Sequence, residues 1–464
     1  MIQGKRRNRS SLGGLIAVRP ASSGSISAVL LFAFFGLFSV YASLPRYITV
    51  LITAALVVSS VSALTDRIVF DGRRLVRVGV AWWIRRVIFG LIQGFSLRSV
   101  EQVESFVKRI TKRGGRYHYR YRVVIRGRGT DFELDTSVKG HSGLIRSILP
   151  QLPRDLLDVR SIELRDFLRD AAEVTRDSRE AAIPSPEVLE GAIVRTKGRK
   201  RQERVSRDHL IKDGDADKAI RLHRLGNRLR VLGYLLEAAE AFRRALRLCP
   251  DDAQLLLDFG RCLEELAGVA NDKMMARRSM AVLRLAERRA ASDPALLEHL
   301  GDLYFSSGRP EHAARAYQKV TVITGNTYRA LKGLAEVALY RGKLAHAVMH
   351  FSAASENASY PSVRRWSAAE AKYLSRLNES DEYLDVEVGR MNLLNSLIRS
   401  AKTCLKIGTC GLPLIIFGLL VGDQLIADIG WAIAAVAFLA FAILSVLSRF
   451  FENRIPYEIA EGDE

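Results

Sequence analysis

The sequence predicts a multi-domain membrane protein: two transmembrane helix hairpins, a small α+β domain, and an all-α repeat solenoid. Three observations predict it. Four apolar runs occupy 26–44, 46–64, 407–421 and 429–447. Three of them approach the roughly 20 apolar residues that a helix needs to cross a bilayer, where lipid offers the backbone no partners. The run 407–421 is shorter and flanked by Gly, so whether it spans fully stays open. Second, Gly, Ala and aromatic positions recur every 34 residues between the two apolar pairs. Third, 116–135 alternates polar and apolar residues with period two.

The order begins with a basic N-terminus, 1–25, carrying Lys5, Arg6, Arg7 and Arg9. A hairpin at 26–64 follows, because a second run comes at once and no clean cleavage site separates it from the first. Arg67, Arg73, Arg74 and Arg77 flank its exit; Lys402 and Lys406 precede the second hairpin at 407–449, and Arg449 and Arg454 follow it. The connection in that hairpin carries Asp423 and Asp428 and no basic residue. Positive flanks stay in the cytoplasm. Both termini and the central region are therefore expected inside, in a multi-pass protein of a bacterial inner membrane, with an acidic tail at 450–464. The net charge of +20 would indicate nucleic acid in a soluble chain; here flanks facing anionic lipid explain it better. Cys249, Cys262, Cys404 and Cys410 form no C-x-x-C pair, which fits reduced thiols.

Residues 66–172 read as an α+β domain. The stretch 81–95 places Trp83, Val87, Leu91 and Phe95 at helical spacing, with Arg85 and Arg86 between them, which suits a membrane surface or a domain core equally. In 116–135, Tyr117, Tyr119, Tyr121, Val123 and Ile125 alternate with a row including Arg120, Arg122 and Arg126; Gly127-Arg128-Gly129 turns the chain into a hairpin. The aromatics share the apolar face, so lipid headgroups or solvent suit the arginines better than RNA does. Helical patterns at 143–152 and 162–167 close the domain. Paired membrane helices, strands and a closing helix, in that order, resemble bacterial pleckstrin-homology-like domains; the resemblance implies a fold and no binding residue.

A charged linker, 173–215, contains Pro184, Pro186 and KGRKRQER. From 216 to 385 the pattern is helix–turn–helix. Gly226, Gly233, Ala238 and Phe242 are echoed by Gly301, Gly308, Ala313 and Tyr317, then by Ala335, Gly342, Ala347 and Phe351. Gly260 lies 34 after Gly226, and Gly301 41 after that, so the second repeat carries about seven extra residues. A degenerate fifth unit is expected near Trp366 and Tyr373, and a connecting helix at 386–406. The pattern resembles tetratricopeptide (TPR) repeats. That resemblance implies a stacked solenoid whose first helices line a partner-binding groove: His223, Asn227, Arg230, Arg261, Glu298, Asp302, Lys332 and Glu336. His223 stands where carboxylate-clamp members carry Lys, so a carboxylate clamp is not implied.

No phosphate cradle or nucleophile elbow occurs. His346 and His350 are four apart, but the intervening Ala347 is a repeat position rather than the Glu of a zinc protease. No catalytic, cofactor or metal site is expected, no enzyme activity, and no small-molecule substrate is named. The expected function is a membrane scaffold recruiting protein partners to the cytoplasmic face, in cell-envelope assembly, secretion or membrane-protein quality control. The alternatives are a transporter or channel subunit and a membrane-tethered nucleic-acid binder.

Overall fold

The computed structural model describes residues 16–20, 24–80, 82–83, 87, 94–111, 117–127, 130–190 and 215–452. The chain divides into two compact units. The first combines strand β1 with Ile68–Val76 and Gln93–Ala371; the second combines Ser22–Arg67, Arg77–Ile92 and Lys372–Glu464.

In the first unit, β1 (Ile16–Val18), β2 (Arg67–Phe70), β3 (Arg74–Val78) and β4 (Gly94–Ser96) form a four-stranded sheet in that order. Residues 16–18 belong to the stretch expected to be only a basic N-terminus, yet Ile16 pairs with Phe70 and Val18 with Ile68. A second sheet joins β5 (Val100–Thr111), β6 (Tyr117–Gly127) and β7 (Thr130–Asp135), all antiparallel. The period-two pattern sets its faces. Tyr119, Tyr121, Val123 and Ile125 are buried, and the arginine row lies on the other face. The expected helix at 81–95 instead ends in strand, since Phe95 pairs with Leu75 and is buried. Trp82 and Trp83 are helical; Arg85 and Arg86 lie outside the described residues. Helices α3 (His141–Ile148) and α4 (Val159–Phe167) pack on the sheets. Asp158 caps α4 by accepting from the Ser161 N–H at 2.8 Å.

The solenoid begins with α5 (Ala171–Glu180), whose Val174 is buried in the core of the first helix pair. That pair is α6 (Asp215–Leu232) and α7 (Leu235–Leu248); then come α8 (Ala253–Ala270) with α9 (Lys273–Arg289), α10 (Pro294–Ser306) with α11 (Pro310–Thr324), α12 (Tyr328–Tyr340) with α13 (Leu344–Asn357), and α14 (Pro361–Glu379). The glycines explain the pairing. A Cβ at Gly226 would meet the Phe242 ring at 2.7 Å, and one at Gly301 the Tyr317 ring at 2.5 Å. Gly308 and Gly342 both turn between paired helices at φ +70°. The extra residues of the second pair form no loop. Helices α8 and α9 run 18 and 17 residues, against 13 and 15 in the next pair. One hydrophobic core runs from the sheets through Val231, Leu235, Leu266, Tyr328 and Leu331 of the solenoid. Sheets and repeats are thus one body, where the sequence pattern suggested two joined by a linker.

The second unit contains α1 (Gly24–Tyr41), α2 (Arg46–Thr65), α15 (Asp381–Val421) and α16 (Gln424–Phe450). Of these, α2, α15 and α16 are long and apolar enough to cross a membrane, and α1 is a shorter apolar helix. The expected connecting helix and the run 407–421 are one 41-residue helix, with Pro413 inside it. Its partner begins almost immediately: Asp423 caps α16, and Asp428 lies within that helix rather than in a loop. Small residues allow close contact. A Cβ at Gly418 would sit 2.4 Å from the Ala427 backbone nitrogen. Phe34, Phe38 and Tyr41 of α1 stack around Trp431, and the Tyr41 hydroxyl donates to Asp428 at 2.6 Å.

Candidate functional site

The eight expected groove residues do fall on the first helices of successive pairs: His223, Asn227 and Arg230 on α6, Arg261 on α8, Glu298 and Asp302 on α10, Lys332 and Glu336 on α12. Arg261, Asp302, Lys332 and Glu336 border an open cavity, while Asn227 and Arg230 are buried. Helix α4 of the sheet domain is seated against the first two pairs, and its Glu163 is 6 % exposed. The Arg230 guanidinium, 1 % exposed, donates to Glu163 and, at 3.1 Å, to Glu265 of α8. Arg261 pairs with the same Glu163 oxygen at 2.6 Å. Arg160 of α4 completes the cluster by donating to Glu265 at 2.6 Å. Three guanidiniums therefore share two carboxylates in a buried setting. Burial pushes the Glu265 carboxyl up, but Arg160, Arg230 and Arg261 outweigh it and hold it below the usual range. Arg261, crowded by burial and by two other guanidiniums, is depressed instead.

Beside this cluster, His223 and Asn227 converge on Asp258 at 2.7 and 2.8 Å. Burial raises the Asp258 carboxyl, yet the hydrogen bond and charge of His223, with Arg230 and Asn227, hold it at about 2. Further along, Arg329 donates to Asp302 at 2.5 and 2.9 Å, and the Tyr317 hydroxyl donates to it at 2.7 Å. Thr327 donates to Glu298 at 2.7 Å. Lys332 pairs with Glu336 at 3.5 Å and lies 5.3 Å over the Trp366 ring. What remains open on this face is a cavity of about 200 Å³, walled by Glu104, Asp158 and Arg160 on one side and Arg261, Arg329 and Lys332 on the other.

Sequence reasoning missed Glu163, Arg160, Asp258, Glu265 and Arg329. Asp258 and Glu265 sit on α8 at helical spacing from Arg261, so that spacing was a usable signal. Glu163 has Arg160 three positions before it, but the two solenoid arginines that it meets lie 67 and 98 positions away.

The basic row on β6 is also paired. Arg120 meets Asp135 at 2.7 Å, Arg122 meets Glu133 at 2.9 Å, and Arg126 lies 3.3 Å from Glu104 and 3.6 Å from Asp131. Each arginine of the row faces a carboxylate from a neighbouring strand, so the row presents little net positive charge. No three His, Cys, Asp or Glu side chains converge as a metal site among the described residues.

The outer side of the first two pairs differs. A groove of about 780 Å³ lies between α7, α8, α9 and the segment 184–189. Its floor and walls include Leu236, Leu263, Leu266 and Met275, with Arg243 and Arg278 at the border.

No protein-family model matches the sequence, and no curated protein does. Solved structures similar to part of the chain include that of MamA (21 % identity, covering 31 % of this chain and 81 % of that one, TM-score 0.26). Another is TTC0263, described as a thermophilic TPR protein in Thermus thermophilus (21 %, covering 33 % and 81 %, TM-score 0.29). A third is YrrB, described as a TPR protein with an unusual peptide-binding site (16 %, covering 52 % and 95 %, TM-score 0.26). The TPR-like fold of this chain follows from its own helix pairs and their small-residue contacts.

Proposed function

We propose that this chain is a non-catalytic scaffold held in a membrane by its helix bundle, with the sheet-and-solenoid unit in the cytoplasm of a bacterium and the repeats recruiting a protein partner. The observation that carries the scaffold reading is the stack of helix pairs, a form whose extended surface serves protein binding. Because α4 already occupies the first-helix face, the partner is assigned to the outward face or to the remaining 200 Å³ cavity. The settings this fits are envelope assembly, secretion or membrane-protein quality control.

Membrane insertion is supported by α2, which has no buried residue and carries Val50, Leu51 and Val57 more than 60 % exposed. Apolar surface of that extent calls for a cover. Topology is supported by two closures. The strands before and after the first hairpin pair with each other, Ile16 with Phe70. Arg390 of α15 donates to the Phe451 carbonyl beyond α16 at 2.7 Å. These closures fit hairpins that leave and return on one side. Six strands in 66–172, joined by Ile16–Val18 at the edge of the first sheet, with a closing helix, also support the pleckstrin-homology-like reading of 66–172 as a fold, whereas the paired arginines of β6 give lipid contact there little support.

Two experiments test this. In a cysteine-free background, Asp423→Cys should react with an impermeant thiol reagent in intact cells and Glu452→Cys should not; the reverse pattern overturns the topology. Photo-crosslinking residues placed at the exposed Arg284 and Arg315, and at Lys332 beside the cavity, should give a discrete protein adduct from at least one position. No adduct from any of them would sink the scaffold reading.

A further inference from the structure

The outer groove has a shape and a charge pattern that define its occupant. Leu236 and Ala239 follow one face of α7, Leu263 and Leu266 one face of α8, and Met275, Arg278 and Val282 one face of α9. The spacings of three and seven place apolar residues in rows on three helices, with Arg278 between Met275 and Val282, as in grooves that take the apolar side of a helix. The volume of about 780 Å³ lies within the range of built binding sites, roughly 300–1,000 Å³.

The charge is one-sided. Helix α9 carries Lys273, Arg277, Arg278, Arg284, Arg288 and Arg289 against Glu287 alone, and Glu287 accepts from Lys319 at 2.6 Å. Glu240, the acid on the α7 border, is taken by Arg243 and Arg244. Arg277, Arg278, Arg284 and Arg288 have no carboxylate partner among the described residues. Arg278 lines the groove, and Arg277, Arg284 and Arg288 continue along the exposed side of α9, the four extending over eleven positions, about 16 Å at the helical rise. A single-headgroup amphiphile places its charge at one end and matches only one of them. A helix with carboxylates along one edge matches the row.

We infer that this groove docks an amphipathic helix of a partner protein, with apolar anchors at i, i+3 or i+4, and i+7, and Asp or Glu along the edge that faces α9. This rests on the scaffold reading and names the face and the chemistry of its partner. The test uses the full-length protein in phospholipid nanodiscs, since detergent would itself enter an apolar groove. A displayed library of 20-residue helical peptides is panned on it. Enriched peptides should combine the apolar stripe with an acidic flank. Ala281→Trp, at an exposed lining position, should weaken them at least tenfold, as should Val188→Glu on the opposite wall. The triple reversal Arg277→Glu, Arg278→Glu, Arg284→Glu should weaken the acidic peptides at least tenfold and favour versions carrying Lys in place of Glu. Enrichment without acidic excess, binding insensitive to both groove variants, or no enrichment overturns the inference. Oleate binding that Ala281→Trp abolishes, without peptide enrichment, would reassign the groove to lipid. If these fail while crosslinks from the repeats persist, the scaffold reading stands and only this face is wrong; loss of both removes the scaffold.

Discussion

The two faces of the same repeats solve opposite problems. On the first-helix face, charged side chains are buried and paired within the chain: Arg230 and Arg261 are 1 % and 6 % exposed against Glu163 and Glu265. On the outer face, an apolar trough is open, and Arg278 of α9, which lines it, is unmatched among the described residues. The polar residues that a repeat pattern marks as a binding surface are here the cement between two parts of one body. Identity at a repeat position tells where a side chain sits on the helix; it does not tell whether that face is already occupied.

Breaking the closed face should have the largest effect. Glu163→Gln leaves two buried guanidiniums short of a carboxylate, and losing one member of a buried pair costs about 3–5 kcal/mol. Urea unfolding should show that loss; a change below about 1 kcal/mol would mean the cluster does not seal the interface. Next is the repeat packing that both faces share. A Cβ at Gly333 would lie 2.3 Å from the Tyr317 ring, so Gly333→Ala should cost about 1–3 kcal/mol by overpacking. If it does not, the ring has room to move and the faces are less rigidly separated.

Acidity should separate the faces further. Burial, then the charge of Arg154, lowers the His299 imidazole to about 4 from its usual 6.5, and Asp258 lies at about 2 against 3.8. Both are depressed in the fold, so the unfolded chain takes up these protons first. The stability they contribute is present above pH 6.5 and 3.8, and is lost as pH falls from 6.5 to 4 for His299 and from 3.8 to 2 for Asp258. Melting temperature against pH should fall through both windows, and His299→Asn should flatten the first alone. The smallest effect is expected on the open side. Ala281→Trp should change stability by less than about 0.5 kcal/mol, as exposed substitutions usually do; a larger loss would show that the groove is tightly packed after all.

The repeats were legible because their packing is local. Gly226 with Phe242 and Gly301 with Tyr317 lie sixteen positions apart, and each recurs. The hairpin at β6 was legible because alternation survives in Tyr119, Tyr121, Val123 and Ile125. What escaped depends on distant partners. Residues 16–18 are too short to show a period, and only pairing with 68–70 makes them a strand. Gly94–Ser96 carried a helical spacing that tertiary pairing with β3 overrode. The occupied face was hidden for the same reason: Glu163 reads as one acid in a short helix, and nothing local announces Arg230.

The pairing of Ile16 with Phe70 also has a consequence in time. Everything from α1 to α2 lies inside the loop which that pair closes, so the first sheet waits for both helices to be synthesised and folded back. A ribosome must release residue 70 before residue 16 finds its place, and closing so long a loop is slow compared with local helix formation. The outermost strand of the sheet is therefore the earliest part of it made and among the last to gain a partner. Completion of the first sheet would then report that both preceding helices have folded back.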